Sequence, residues 1–401
     1  MKNRLNFKYT VQQIVYWAAA AGVISFASAF LLEKGFMASE IGVLLALGNI
    51  VSFLIQPLLA DRADRAGAQL INLFVIALTA ICLACFLAIQ FLPIPKWLFG
   101  ALYVTAVFSF DAMIPLLNAL CVAYNRVARS INYGLGRGIG SFAYAIAALG
   151  IGKVIAAYGG DWMIWIIIAL LGSNLLICFT YPRIVASHST ESRQRECCSI
   201  PVFFVRYKWY CLSLLGVLLL AAFHVMTENY FIKIFERLGG NSSNVGIALF
   251  VATAIEMPVV IYIEKIRKYL HDNLLFKLAG LSFLLKAVLL VFAPNVMSIY
   301  FIQLLQTTSY SFLSPVSMYY ANNKVCQADM VKGQAFITAA YALGCAFGNF
   351  LGGQLLDISG VMALLITGIF VAAAGTVILF VTVEKYDSAI LAEISGAQER
   401  N

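Results

Sequence analysis

Twelve stretches of 20–25 residues, each built almost wholly from apolar and small side chains, constrain this chain more than any other feature. They cover approximately 11–32, 41–60, 70–92, 97–121, 134–158, 162–181, 208–232, 244–263, 274–293, 297–320, 333–356 and 361–383. About 20 such residues match the hydrocarbon thickness of a bilayer as an α-helix. Inside lipid, backbone N–H and C=O groups need internal partners, and a helix supplies them alone. Charged residues make up 11% of the chain, against roughly 25% in a soluble domain. The expected fold is an all-α polytopic membrane protein with twelve transmembrane helices. The one CxxC, Cys82 to Cys85, lies inside an apolar run without a histidine or second pair nearby, and reads as packing rather than a metal site.

The loops fix the orientation. Lys2, Arg4 and Lys8 precede the first run, and the loops on that side carry Arg62, Arg65, Arg126, Arg129, Arg183, Arg193, Arg195, Arg206, Lys265, Arg267, Lys268, Lys324 and Lys332. The opposite loops carry Lys34, Lys96, Lys233 and Arg237. By the positive-inside rule both termini are expected in the cytoplasm of a plasma (bacterial inner) membrane. The net charge of +8 then reflects topology and anionic headgroups, so the lipid bilayer is a partner and nucleic acid is not.

The longest polar stretch, 182–207, contains His188 and a run of Ser, Thr, Gln and Arg, and reads as a cytoplasmic linker. It divides a six-helix bundle at 1–181 from a second at 208–384, with a tail at 385–401. The halves echo each other at an offset of about 200 residues: Ser39-Glu40-Ile41-Gly42 resembles Ser243-Asn244-Val245-Gly246, and Gly150-Ile151-Gly152 resembles Gly352-Gly353. Such duplication is the 6+6 plan of a secondary transporter.

Charges deep inside apolar runs are functional candidates by default. Asp111, Glu256 and Lys286 lie mid-run, while His224 and Glu228, at i and i+4, share a helix face. A carboxylate that exchanges a cation partner for a proton is the minimal proton-coupling device. Glu256 with Lys286 is the first candidate pair and Asp111 with Arg137 the second; ion pairs that only fix helix packing are the alternative. The polar tenth run, with Gln303, Gln306 and Tyr310, is expected to line a cavity or bind neighbouring helices. Arg137 sits in Tyr133-Gly134-Leu135-Gly136-Arg137-Gly138-Ile139-Gly140-Ser141. It either faces a cavity or snorkels to the headgroups. Tyr144, seven residues on, lies on the same helix face. Gly344, Gly348 and Gly352 repeat every four residues, as in a close-packing seam.

Over essentially its whole length the chain resembles the major facilitator superfamily. After the second run, Pro57-Leu58-Leu59-Ala60-Asp61-Arg62-Ala63-Asp64-Arg65 is similar to that superfamily's Gly-x-x-x-Asp-[Arg/Lys]-x-Gly-[Arg/Lys] loop, with Pro57 and Asp64 in place of both glycines. The resemblance implies a gating role for Asp61, Arg62 and Arg65. Tyr-Gly-x-x-Arg-x-x-Gly-Ser in the fifth run resembles the branch of lactose permease, phenylpropionate permease and nucleoside symporters. There the arginine binds sugar hydroxyls and the later aromatic stacks on the ring, which implies substrate-binding roles for Arg137 and Tyr144. Leu278-Ala279-Gly280 before Lys286, and Glu256-Met257-Pro258, continue the likeness. Asn118 stands nearest to the branch's fourth-helix glutamate. Tyr310 and Leu313 stand where lactose permease has its coupling His and Glu, which argues against lactose as substrate.

The resemblance implies a monomeric 6+6 pseudo-symmetric major facilitator fold, not an enzyme. It would move a small polar organic solute (sugar, oligosaccharide, nucleoside or aromatic acid) by alternating access. Arg137, Tyr144, Asn118, Lys286 and Tyr310 are the expected substrate contacts, and Glu256, Asp111, Glu228 and His224 the coupling groups. No cofactor or metal is expected beyond a coupling proton, with sodium the alternative ion. A proton-coupled exporter of drugs or metabolites, or a transporter-like sensor, is the competing reading.

Overall fold

The computed structural model describes residues 2–128, 131–182, 199–326 and 329–385, with side chains undescribed at 2–3, 57–58, 60–68, 126–128 and 331. The expected linker between 183 and 198, with His188, and the tail beyond 385 lie outside the described residues. So do the side chains of Asp61, Arg62 and Arg65.

Each of the twelve apolar runs falls on helical backbone. Among the described residues nine helical stretches are long and apolar enough to cross a membrane. The first run adds a tenth as a bent pair, where α1 (Lys2–Ala20) passes through a π-helical turn, Ala21–Ser25, and bends by 49° into α2 (Ala27–Glu33). α3 (Ala38–Phe91) contains two spans, Ala38–Gln56 and Gln69–Phe91. α4 (Lys96–Asp111) and α5 (Met113–Ala128) together make one. α6 (Tyr133–Tyr158) starts where the Asn132 side chain accepts from Leu135 N at 3.0 Å, the usual cap for an orphan helix donor. α7 (Gly160–Phe179) closes the first half.

The second half begins earlier than the sequence suggests. Ile200-Pro-Val-Phe-Phe-Val-Arg206 forms α8, and its buried Phe203 packs on Tyr207 at 4.7 Å and Phe336 at 5.0 Å. The end of the expected linker is therefore apolar enough to dock on the bundle. α9 (Lys208–Glu228), α10 (Phe231–Glu236), α11 (Ser242–Arg267) and α12 (Asp272–Val291) follow. The tenth run is α13 (Val296–Ile302), a 3₁₀ turn at Gln303–Thr307, and α14 (Tyr310–Lys324). α15 (Met330–Thr382) is continuous except at Gly360, whose φ of 76° lies in the left-handed region that glycine tolerates without strain. That break separates the eleventh run from the twelfth.

The predicted seam packs on α9, with Gly344 and Gly348 against the carbonyls of Leu218 and Ala222. The two halves meet through α3 with α15 and α6 with α11. At both crossings glycines face each other. A Cβ on Gly42 would lie 2.5 Å from Asn349 O and 3.3 Å from Gly353 Cα. A Cβ on Gly246 would lie 2.5 Å from Ala148 O and 3.3 Å from Gly152 Cα. The echoes between the halves are thus the two equivalent crossings, each a backbone contact that excludes any side chain.

Candidate functional site

A cavity of about 580 Å³ separates the halves, within the usual range for a small-molecule site. Helices α1, α3, α4, α5 and α6 line it from one half, and α9, α11, α14 and α15 from the other. It is closed on the face remote from the N-terminus. There Asp357 accepts from Ala38 N at 3.1 Å and Ser39 N at 2.7 Å. Tyr230 Oη donates to Asn349 O at 2.9 Å and reaches Ala38 O at 3.3 Å, and Ser28 donates to Asn229 O. The hydrogen bonds that join described residues of the two halves gather at this far face. Towards the terminal face the cavity reaches Ser317, the exposed Met318 and Thr338.

In the first half Arg137 turns inward rather than snorkelling. Its Cζ lies 3.8 Å from the centre of the Trp17 ring, and Nη1 donates to Ser141 Oγ at 2.5 Å. Gly136 and Gly140 leave room for this: a Cβ on Gly140 would stand 2.6 Å from Trp17 Cδ1. Trp17 is held from behind, donating Nε1 to Gln13 Oε1 at 2.9 Å. Two turns on, the Tyr144 hydroxyl pairs with Ser25 at 2.6 Å, where the π turn ends. Such turns open a helix locally and recur at functional sites.

In the second half the polar groups form a connected chain. Lys286, 1% exposed, donates to Gln306 Oε1 at 2.9 Å and stands 3.9 Å from Glu228. Glu228 lies 3.5 Å from His224 Nε2, and the His224 ring stacks on Tyr310 at 4.5 Å. The Gln306 side chain also stands beside the Glu256 carboxylate. Glu228, Glu256, Gln306, Tyr310 and His224 line the cavity, whereas Lys286 lies behind its wall. The irregular stretch from Gln303 to Ser309 places Gln306 there; non-helical backbone at membrane depth is tolerated where protein or a cavity surrounds it.

Both expected pairings are corrected. Lys286 finds its carboxylate in Glu228, because Gln306 occupies the space between Lys286 and Glu256. Arg137 does not pair with Asp111: Tyr16 intervenes, stacked on Phe110 at 4.5 Å and edge-on to Trp17 at 5.5 Å. Asn118 is half-buried but outside the cavity lining, which on α5 stops at Ile114. Lys286 is likewise no direct lining residue.

Sequence reasoning missed Trp17, Ser25, and two polar stripes. Asn49, Ser52 and Gln56 on α3, and Thr338, Tyr341, Cys345 and Asn349 on α15, all line the cavity. Their spacings of three, four and four residues are a helical face inside otherwise apolar runs, and that periodicity was the available signal.

A family model described as MFS_1 like family matches residues 7–367. No curated protein sequence matches the chain. Among solved structures, that of the nucleoside transporter NupG is similar over 96% of this chain and 100% of that one, with a TM-score of 0.79 at 14% identity. A point mutant of it gives 0.80 at 13% identity, over 95% and 100%. A bacterial homologue of the human lysosomal transporter Spinster, inward-facing and unoccupied, gives 0.63 at 13% identity over 95% of both chains.

Proposed function

The chain belongs to the MFS_1 like family and is a multi-pass membrane protein of transporter fold; on that premise we propose that it takes up a neutral polyhydroxylated ring compound, a nucleoside or sugar, by proton symport. The observation that carries the reading is the inward-turned Arg137 on Trp17, with Tyr144 beside it, facing a polar network across the cavity. A guanidinium offers several N–H donors in a fixed plane, suited to hydroxyls. Aromatic faces bind rings, and Trp17, Tyr144, Tyr310 and Tyr341 supply them. The neighbouring carboxylates disfavour an anionic solute. The likeness to the nucleoside transporter NupG supports nucleosides as the first candidates.

Glu256 is the coupling group in this reading. Lys286 and Glu228 offset each other's charge, while Glu256 has no contact ion pair among the described residues and feels Lys286 and Arg137 at longer range. A cavity carboxylate without a contact cation can take up and release a proton as the cavity alternates. The basic loops put the terminal face in the cytoplasm of a plasma (bacterial inner) membrane, so the cavity opens inward. The protein works as a monomer without an organic cofactor.

A thermal-shift screen of the purified protein against nucleosides, sugars, oligosaccharides and aromatic acids tests this. A ligand at 100 times its Kd adds about 2.7 kcal/mol of stability. A nucleoside or sugar is expected to raise the midpoint, and Arg137→Ala to remove the shift without lowering the unliganded midpoint. Stabilisation by aromatic acids alone, or a shift untouched by Arg137→Ala, overturns the reading.

A further inference from the structure

Arg137 and Asp111 stand on the same half of the cavity, and neither forms a contact ion pair among the described residues, although the Glu256 carboxylate across the cavity acts on Arg137 at longer range. Arg137 has Ser141 and the Trp17 face. The Asp111 carboxylate has neither a hydrogen bond nor an ion pair there, and it lines the cavity. The backbone adds to its acceptor character. α4 ends on Asp111, and Pro115, having no N–H, cannot bond the Asp111 carbonyl as the i+4 residue of a helix would. Gln56 Nε2 approaches that oxygen at 3.5 Å, which is long for a hydrogen bond. A carboxylate and a carbonyl without its usual helical donor thus place acceptor oxygens at one point of the wall, an arrangement that favours a positive or donor group.

Tyr16 and Trp17 separate this point from Arg137, with Phe110 stacked on Tyr16 and Arg137 lying on Trp17. A solute that satisfies both groups spans them, with acceptor oxygens at Arg137 and donor hydrogens at Asp111. We propose that Asp111 is a specificity-determining residue that recognises an amine or N–H donor on the transported ring compound, so that amino-bearing nucleosides or sugars are the preferred substrates. The inference rests on the cavity being the solute site proposed above.

Matched ligand pairs test it: adenosine against purine riboside, which lacks the exocyclic amine, and glucosamine against glucose. Binding to the full-length purified protein is read by titration calorimetry. The amino member of the pair that binds is expected to bind at least about tenfold more tightly to the wild type, as a hydrogen bond to a charged group implies. Asp111→Ala should reduce that preference to within about twofold while the amine-free member keeps its affinity; Asp111→Asn serves if alanine lowers the folded yield, and should remove the preference for glucosamine. Equal binding of both members, or a preference that survives Asp111→Ala, overturns the inference and leaves the solute site standing. Binding of neither pair fails the solute reading itself, and this inference with it. Loss of proton-driven uptake in Asp111→Ala with the amine preference intact assigns Asp111 to the proton instead.

Discussion

Glu256→Gln is expected to abolish proton-driven accumulation of solute while leaving solute binding and exchange intact. Glutamine keeps the size of the side chain and its place beside Gln306, but it cannot alternate between a protonated and an ionised form. At one proton per solute, a pH difference of about one unit supports roughly tenfold accumulation. The variant should reach only equal concentrations on the two sides of a proteoliposome membrane, at an exchange rate near that of the wild type. Full accumulation by Glu256→Gln would remove Glu256 from the coupling step. A wild type driven by a sodium gradient and indifferent to pH would replace the proton by sodium.

The second large effect concerns the seal at the far face. Gly152 with Gly246 and Gly42 with Gly353 touch through bare backbone, and even a Cβ at Gly246 would meet Ala148 O at 2.5 Å. Gly246→Trp cannot be accommodated by side-chain adjustment, because the obstructing atoms are backbone. The halves are expected to be held apart there, stopping uptake and favouring a cavity open to the far face. Cys345 lines the cavity from α15 and gives a readout. In intact cells, a membrane-impermeant maleimide should label Cys345 in Gly246→Trp far more than in the wild type, with Cys345→Ala as the blank. Equal labelling together with normal uptake would show that the glycine crossing is not the gate.

The features that were legible in the sequence are those with a one-dimensional signature. Spanning helices follow from run length. The echoing Ser39-Glu40-Ile41-Gly42 and Ser243-Asn244-Val245-Gly246 pointed to a duplicated plan, and the structure puts their glycines at the two equivalent helix crossings. Arg137 and Tyr144, seven residues apart, share a face and both reach the cavity. Pairings between runs were not legible. Sequence places Glu256 and Lys286 mid-run and Glu228 in the outer half of its run, but does not say which neighbour a given face meets. It was the irregular backbone at Gln303–Ser309 that inserted Gln306 and gave Lys286 to Glu228. The inner gate at Asp61, Arg62 and Arg65 remains a sequence expectation. Lining residues such as Ser52 and Thr338 were passed over because single small polar groups in a membrane helix ordinarily bind their own backbone or a neighbouring helix.

A neutral ring solute held at Arg137 is expected to pass through this cavity by alternating access. Counterflow is the sharpest test, because it needs no driving gradient and no knowledge of the coupling ion. Proteoliposomes are loaded with an unlabelled nucleoside or sugar chosen from the stability screen and diluted into a trace of the labelled compound. A transient, saturable overshoot of label is expected inside wild-type and Glu256→Gln vesicles, and none in Arg137→Ala vesicles. An overshoot undiminished by Arg137→Ala, or none in the wild type with any nucleoside or sugar that stabilises it, would rule out transport of such a solute held at Arg137.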